Sequence, residues 1–142
     1  MPRVDFYILP NETRLSLQQF ACRLADKAYH QGHRILIQTD NAEESHLMDD
    51  MLWTFSDNSF LPHAIYSESD NDDQAIIISH DAADHKNFQI MINLSSITPS
   101  DANHFDRIAE IVNQEPVRKQ TGREHYKKYK AQGYELYHHE MN

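Results

Sequence analysis

Residues 4–39 read VDFYILPNETRLSLQQFACRLADKAYHQGHRILIQT, and their pattern predicts a strand, a helix and a second strand. The apolar runs at 4–9 and 34–39 are rich in strand-forming residues and are typical of buried strands. Apolar residues between them recur every three or four positions, which predicts an amphipathic helix that ends before Gly32. A strand–helix–strand unit of this length implies parallel strands joined by a right-handed crossover.

The rest of the chain continues the alternation of helices and strands. The acidic, histidine-bearing residues between the third and fourth clear strands are predicted to form a turn. The element order β-α-β-α-β-β-α-α predicts one three-layer α/β/α domain over residues 1–142, with a mostly parallel central sheet. The predicted elements are a helix over 42–55, strands over 75–79 and 88–94, a weaker strand near 64–66, a helix from about 98–102 to Val112, and a final helix from Pro116 to Gly133.

Composition restricts the class of protein. The 142 residues carry a net charge of −9, which argues against the whole surface being a strong binder of DNA phosphates. Cys22 is the only cysteine, so no internal disulfide can form, and a reducing, cytoplasmic setting is expected. No apolar run approaches the ~20 residues that a membrane-spanning helix needs, and the first apolar run is too short for a secretory signal. We expect no membrane association.

Glycine usage argues against a nucleotide site. Only Gly32, Gly122 and Gly133 are present, and the loop after the first strand reads PNETR. Neither phosphate-binding glycine motif occurs, so the predicted fold is Rossmann-like without a nucleotide-binding glycine loop, and no cofactor is expected.

Other candidate chemistry is weak. Cys22 lies in the middle of a helix and is expected to pack rather than to react. No serine has the setting of a nucleophile elbow, so no catalytic residue is assigned. His138 and His139 are expected to face solvent at a frayed end. The spacing of His80, Asp81, Asp84 and His85 matches no zinc motif and favours a polar turn. The run of Asp70, Asp72 and Asp73 lacks the glycine and the distal glutamate of a calcium loop.

The most unusual segment is 116–130, PVRKQTGREHYKKYK, with six basic residues and one acid. Removing its charge of +5 from the total of −9 leaves about −14 on the rest of the chain. Helical spacing places five residues on one face, which suits an extended acidic partner; an ordinary solvated face is the alternative. These residues are Lys119, Arg123, Tyr126, Lys127 and Lys130.

The segment 52–65, LWTFSDNSFLPHAI, concentrates large apolar residues in and beside a polar loop. Trp53, Phe60, Leu61 and Pro62 either cap the core or form an anchor patch for another protein. Different residues of the segment can serve each purpose.

These segments, with two others, resemble the chi subunit of bacterial DNA polymerase III, a clamp-loader accessory subunit. The similarity runs nearly end to end. It is carried by FYIL at 6–9, G-x-R-[IV]-L-I at 32–37, LW followed by SF-x-PH at 52–63, and RE-x-YK-x-Y-x-x-x-G-[FY] at 123–134.

The resemblance implies a non-catalytic DNA replication protein with two protein-binding surfaces. One surface binds the psi subunit of the polymerase, which connects chi to the clamp loader, or in some relatives an XPD-like repair helicase. The other binds the acidic, Phe-terminated tail of single-stranded DNA-binding protein. Carried over by position, the psi or helicase surface comprises Trp53, Phe60 and Pro62, and the tail site comprises Val112, Lys119, Arg123, Tyr126 and Lys127. Thr121 stands where a leucine is usual, which suggests a shallower slot.

Two other classes of function remain open at this stage. The basic helix can bind single-stranded nucleic acid directly, with tyrosines as stacking platforms. An enzyme on a degenerate nucleotide-binding fold is disfavoured by the absent glycine loop. No sequence-specific DNA binding is expected in any of these interpretations.

Overall fold

The computed structural model describes residues 2–55, 60–66, 74–81, 87–99 and 102–142, which form a seven-stranded sheet and three helices. The strand order is β3-β4-β2-β5-β6-β1-β7, and all the pairings are parallel. This confirms the predicted α/β fold with its parallel sheet. The elements are β1 (Arg3–Ile8), α1 (Arg14–His30), β2 (Ile35–Gln38), α2 (Ala42–Thr54), β3 (His63–Ile65), β4 (Ile76–Ser79), β5 (Ile90–Asn93), β6 (Arg107–Val112), α3 (Pro116–Ala131) and β7 (Glu135–Glu140).

Two apolar cores lie on the two faces of the sheet. On one face, α1 and α2 pack residues such as Phe20 and Met48 against Ile35 and Ile37 of β2. On the other face, Tyr129 of α3 packs in the second core, which includes side chains of β1 and β6. Because both faces of its central strands are covered, the sheet requires continuous apolar runs rather than alternating ones.

The helix ends follow local sequence signals. The Thr13 hydroxyl accepts a hydrogen bond from the Ser16 amide at the start of α1, and the Asn41 side chain accepts one from the Glu44 amide at the start of α2. Gly32 follows α1 with φ +88°, a left-handed conformation that favours glycine. The first βαβ unit is therefore specified mainly by residues within it.

The predicted helix from about 98–102 to Val112 is wrong, because none of its described residues is helical. Residues Arg107–Val112 form β6, which lies between β5 and β1 in the interior of the sheet. Ile108, Ala109 and Ile111 fit a helical face and a two-sided buried strand equally well, and pairing with two neighbouring strands decides the outcome. Residues 100–101 lie outside the described part of the chain.

The strand β7 was not predicted from the sequence. The strand ELYHHE is too polar to suggest a strand, yet it pairs with β1 along its whole length at one edge of the sheet. His138 and His139 therefore lie in a strand and not in a frayed end. At the other edge, the weak strand near 64–66 is confirmed as β3.

The predicted turn between β4 and β5 does not join neighbouring strands. Both strands pair in parallel with β2, which lies between them. The intervening chain therefore starts at the carboxyl end of β4 and finishes at the amino end of β5, at the opposite end of the strands. Residues 82–86 of that connection lie outside the described residues.

Candidate functional site

A groove of about 320 Å³ lies between α3 and the carboxyl ends of β1 and β6; we call it the α3 groove. Phe6, Ile8 and Val112 give it an apolar lining from the sheet. Strand alternation turns these three side chains towards the face that α3 covers. The sheet therefore supplies an apolar surface to the α3 groove, and side chains of α3 supply its other wall.

The helix contributes positive charge. Lys119, Arg123 and Lys127 line the α3 groove and are exposed, and the half-buried Tyr126 lies among them. The five residues predicted for the tail site all line this groove: Val112, Lys119, Arg123, Tyr126 and Lys127.

Gly122 allows α3 to approach the sheet closely. A Cβ atom at this position would lie 2.7 Å from Val112 Cγ1 and 3.4 Å from Val112 Cβ. Carbon atoms that are not bonded normally stay about 3.5–4.0 Å apart. Gly122 thus sets the spacing between the helix and Val112. Its neighbour Thr121 is not among the residues that line the groove.

Two polar residues after β6 fix one end of the α3 groove. The Asn113 side chain donates to the Thr13 carbonyl at 3.0 Å, and its own oxygen accepts from the Glu115 amide. The Gln114 side chain donates to the Leu9 carbonyl and accepts from Lys119 Nζ at 3.2 Å. Asn113 and Gln114 therefore hold two backbone carbonyls, the Glu115 amide and one groove lysine in place.

Arg118 differs from the other basic residues of 116–130. It is 5% exposed, and its guanidinium donates to the carbonyls of Ile111, Ser95 and Asn93 at 2.8–3.0 Å. Burial lowers the pKa of this guanidinium from its usual value. Arg118 therefore anchors α3 to the ends of β5 and β6 and does not contribute to the exposed charge.

A buried polar network continues beneath α3. The Glu110 carboxylate on β6 accepts hydrogen bonds from Asn93, from the Tyr129 hydroxyl and from His125 Nδ1, at 2.7–2.9 Å. Burial alone lowers the pKa of His125, but the bond and charge of Glu110 more than offset it and raise the pKa overall. Burial and Glu110 both raise the pKa of Tyr129. This network fixes the rotation of α3 about its axis, and nothing in the sequence pattern predicted it.

The aromatic segment lies elsewhere. Trp53 and Phe60 are 56% and 68% exposed, with ring centroids 5.8 Å apart, and Pro62 is half-buried beside the fully buried Leu61. The segment thus divides between an exposed pair and a core residue. These residues lie beside β3, which is four strand positions from β6 in the sheet. At ~4.8 Å per strand, the two strands are roughly 19 Å apart. Residues 56–59 are outside the described residues.

The other candidates offer little chemistry. Burial raises the pKa of the Cys22 thiol to about 12, which fits a packing role. His80 Nδ1 is 3.0 Å from the Ser45 hydroxyl. Within the described part of the chain, no three metal-ligating side chains cluster. Asp70, Asp72, Asp73, Asp84 and His85 fall outside it.

The described residues also contain no helix that is both long and apolar enough to cross a bilayer.

Comparison with a solved structure supports the fold. The crystal structure of T4 UvsW aligns with 99% of this chain and 41% of its own, with a TM-score of 0.66 and 9% sequence identity. Such low identity concerns the fold alone.

Comparisons at the sequence level identify the family. The model of the family "DNA polymerase III chi subunit, HolC" matches residues 1–137. DNA polymerase III subunit chi of Pseudomonas aeruginosa is 35% identical over 142 residues, with 99% of this chain and 98% of that protein covered. Subunit chi of Haemophilus influenzae is 30% identical, with 93% of this chain and 92% of that protein covered. Subunit chi of Escherichia coli is 27% identical, with 96% of each chain covered. This chain therefore belongs to the DNA polymerase III chi subunit family of replication accessory subunits.

Proposed function

We propose that this chain is a non-catalytic, cytoplasmic link within the replication machinery. One surface binds psi and thereby the clamp loader, and the α3 groove binds the acidic C-terminal tail of single-stranded DNA-binding protein. The observation that carries the proposal is the groove itself, in which three exposed cations surround an apolar lining.

The groove suits a peptide that is both acidic and aromatic. Phe6, Ile8 and Val112 offer an apolar surface for one aromatic side chain, and Tyr126 supplies a ring beside it. Arg123 can hold a carboxylate through two parallel hydrogen bonds, whereas a lysine acts as a point charge. A terminal phenylalanine presents both a ring and a carboxylate, which is the combination that this groove accommodates.

The energetics predict modest affinity. Each exposed ion pair contributes only ~0–1 kcal/mol and is screened by salt. Most of the binding free energy must therefore come from burial of the aromatic ring, at about 1.5–3 kcal/mol. Such weak contacts are sufficient when several tails on one oligomer raise the effective concentration.

The second surface is the exposed pair Trp53 and Phe60 with Pro62. Exposed, adjacent aromatic rings are typical of the anchor residues in protein interfaces. We assign this surface to psi, or to an XPD-like helicase that replaces psi. Its separation from the α3 groove by about four strand positions leaves room for both partners at once.

Direct binding of single-stranded nucleic acid is less well supported. Tyr129 is fully buried, so its ring cannot stack on a base, and Tyr126 is half-buried among the residues that line the groove. Arg118, one of the six basic residues, is also buried.

The test compares two cations of α3. Arg123→Ala removes a groove cation, and Lys128→Ala removes an exposed cation that does not line the groove. Fluorescence anisotropy with an acidic, Phe-ended peptide should show loss of binding for Arg123→Ala and no change for Lys128→Ala, while both variants bind psi normally.

Equal losses of peptide and psi binding in Arg123→Ala would contradict the two-surface proposal. Tight binding of a short single strand by the wild type, abolished equally by both substitutions, would favour the nucleic-acid alternative.

A further inference from the structure

His138 lies in the α3 groove, at a position that the sequence pattern gave no reason to consider. It belongs to the edge strand β7 and lines the groove opposite α3. Its ring is stacked on Phe6, with centroids 6.0 Å apart and an interplanar angle of 26°, and its centroid is 5.1 Å from that of Tyr126. The imidazole is therefore held by two aromatic residues of the groove while it stays exposed to solvent.

We propose that His138 is a further binding residue of the α3 groove, and that its protonation strengthens the capture of an acidic peptide. This inference rests on the proposed function, because it specifies how the same groove responds to pH. Neutral His138 provides an aromatic wall, and protonated His138 adds a positive charge beside the bound carboxylates.

The sign of the effect follows from the charges around the ring. Histidine is the side chain that ordinarily changes charge between about pH 5 and 8. The carboxylates of a peptide bound beside the ring favour its protonated form. Binding is therefore coupled to proton uptake, and affinity rises as pH falls.

The other charged and titratable groups near the ring come mainly from α3. The sheet residues that line the groove, Phe6, Ile8 and Val112, carry no charge. On β7 the alternation of side chains places the exposed Glu140 on the same face as His138. The groups contributed by α3 are Lys119, Arg123, Tyr126 and Lys127 in the groove, with Lys130 Nζ 6.0 Å from the Tyr126 ring centroid.

The test uses His138→Phe, which keeps a ring and removes the titratable group. The same substitution at His46, an exposed residue of α2 that does not line the groove, is the control. Peptide affinity is measured by anisotropy at about pH 6 and pH 8 and constant ionic strength. We expect the wild type and His46→Phe to bind up to about five-fold more tightly at the lower pH, and His138→Phe to bind equally at both.

Proton uptake provides a second measurement that does not depend on the stability of a variant. Calorimetric titration of the wild type at about pH 7, in two buffers with different ionisation enthalpies, should detect uptake of a fraction of a proton per peptide. Peptide binding without pH dependence or proton uptake overturns the inference, as does equal pH dependence in His138→Phe. No peptide binding by the wild type at either pH would instead overturn the proposed function.

Discussion

Substitution of Gly122 by alanine should damage the α3 groove more than it damages the fold. The added Cβ would lie 2.7 Å from Val112 Cγ1, about 1 Å closer than carbon atoms normally approach. Rotation of Val112 about χ1 can move Cγ1, but the contact with Val112 Cβ at 3.4 Å is fixed by the backbones. Either Val112 leaves its rotamer or α3 moves away from β6.

The expected loss of stability is small because two effects oppose each other. Overpacking of this kind costs about 1–3 kcal/mol, whereas replacing glycine by alanine within a helix stabilises it by about 1 kcal/mol. We expect a net loss of about 1 kcal/mol, which lowers Tm by a few degrees. The groove depends on Val112 and on the position of α3, so peptide affinity should fall about ten-fold, equivalent to losing about half of one buried side-chain contact.

The matched control is Gly32→Ala. Its added Cβ meets nothing within 4 Å, but the residue has φ +88°, so alanine there is destabilising through backbone strain. Urea unfolding and anisotropy should show that both variants lose stability and that only Gly122→Ala loses affinity. In a double-mutant cycle, Val112→Ala should recover part of the stability lost in Gly122→Ala, with a coupling energy of about 1 kcal/mol. A Gly122→Ala protein that is more stable than the wild type and binds peptide normally would refute this reasoning.

Two further predictions concern stability. Burial alone raises the pKa of Asp5, but hydrogen bonds from Arg3, Arg107 and His139 lower the pKa overall, to about 2 from 3.8. Ionised Asp5 therefore stabilises the fold above about pH 4, and this contribution is lost as pH falls towards 2. Asp5→Asn should therefore lose about 2 kcal/mol at neutral pH, and its difference from the wild type in urea unfolding should shrink below about pH 4; a constant difference would contradict the assignment. Arg118→Met leaves three carbonyls without their donor and should lose about 2–4 kcal/mol, whereas Arg123→Met should change stability by less than about 0.5 kcal/mol. Equal stabilities of these two variants in urea would show that Arg118 is not an anchor.

The parts of the fold that could be predicted from sequence are those specified locally. The unit β1–α1–β2 has its apolar strands, its Thr13 cap and its closing Gly32 within 40 consecutive residues. By contrast, β6 and β7 depend on β1, to which both are hydrogen-bonded. The apolar residues of β6 fit two periodicities, and β7 lacks an apolar pattern altogether. Their conformation is decided by distant strands, which no local window contains.

The same division applies to the candidate site. Helical spacing alone brought together Lys119, Arg123, Tyr126 and Lys127, because residues three and four apart share a face. The sheet side of the groove, with Phe6, Ile8 and His138, could not be inferred since it depends on where β1 and β7 lie.

The cluster of basic residues is best understood as two sets with different environments on one helix. Arg118 and His125 face the sheet, where carbonyls and Glu110 satisfy them, and they hold α3 in a fixed position and rotation. Lys119, Arg123 and Lys127 are exposed, with their direction set by that buried attachment. A preorganised helix loses less conformational entropy when a peptide binds, so weak exposed ion pairs contribute more of their interaction energy to affinity. Loosening the buried contacts should therefore weaken peptide binding even though no groove residue has changed.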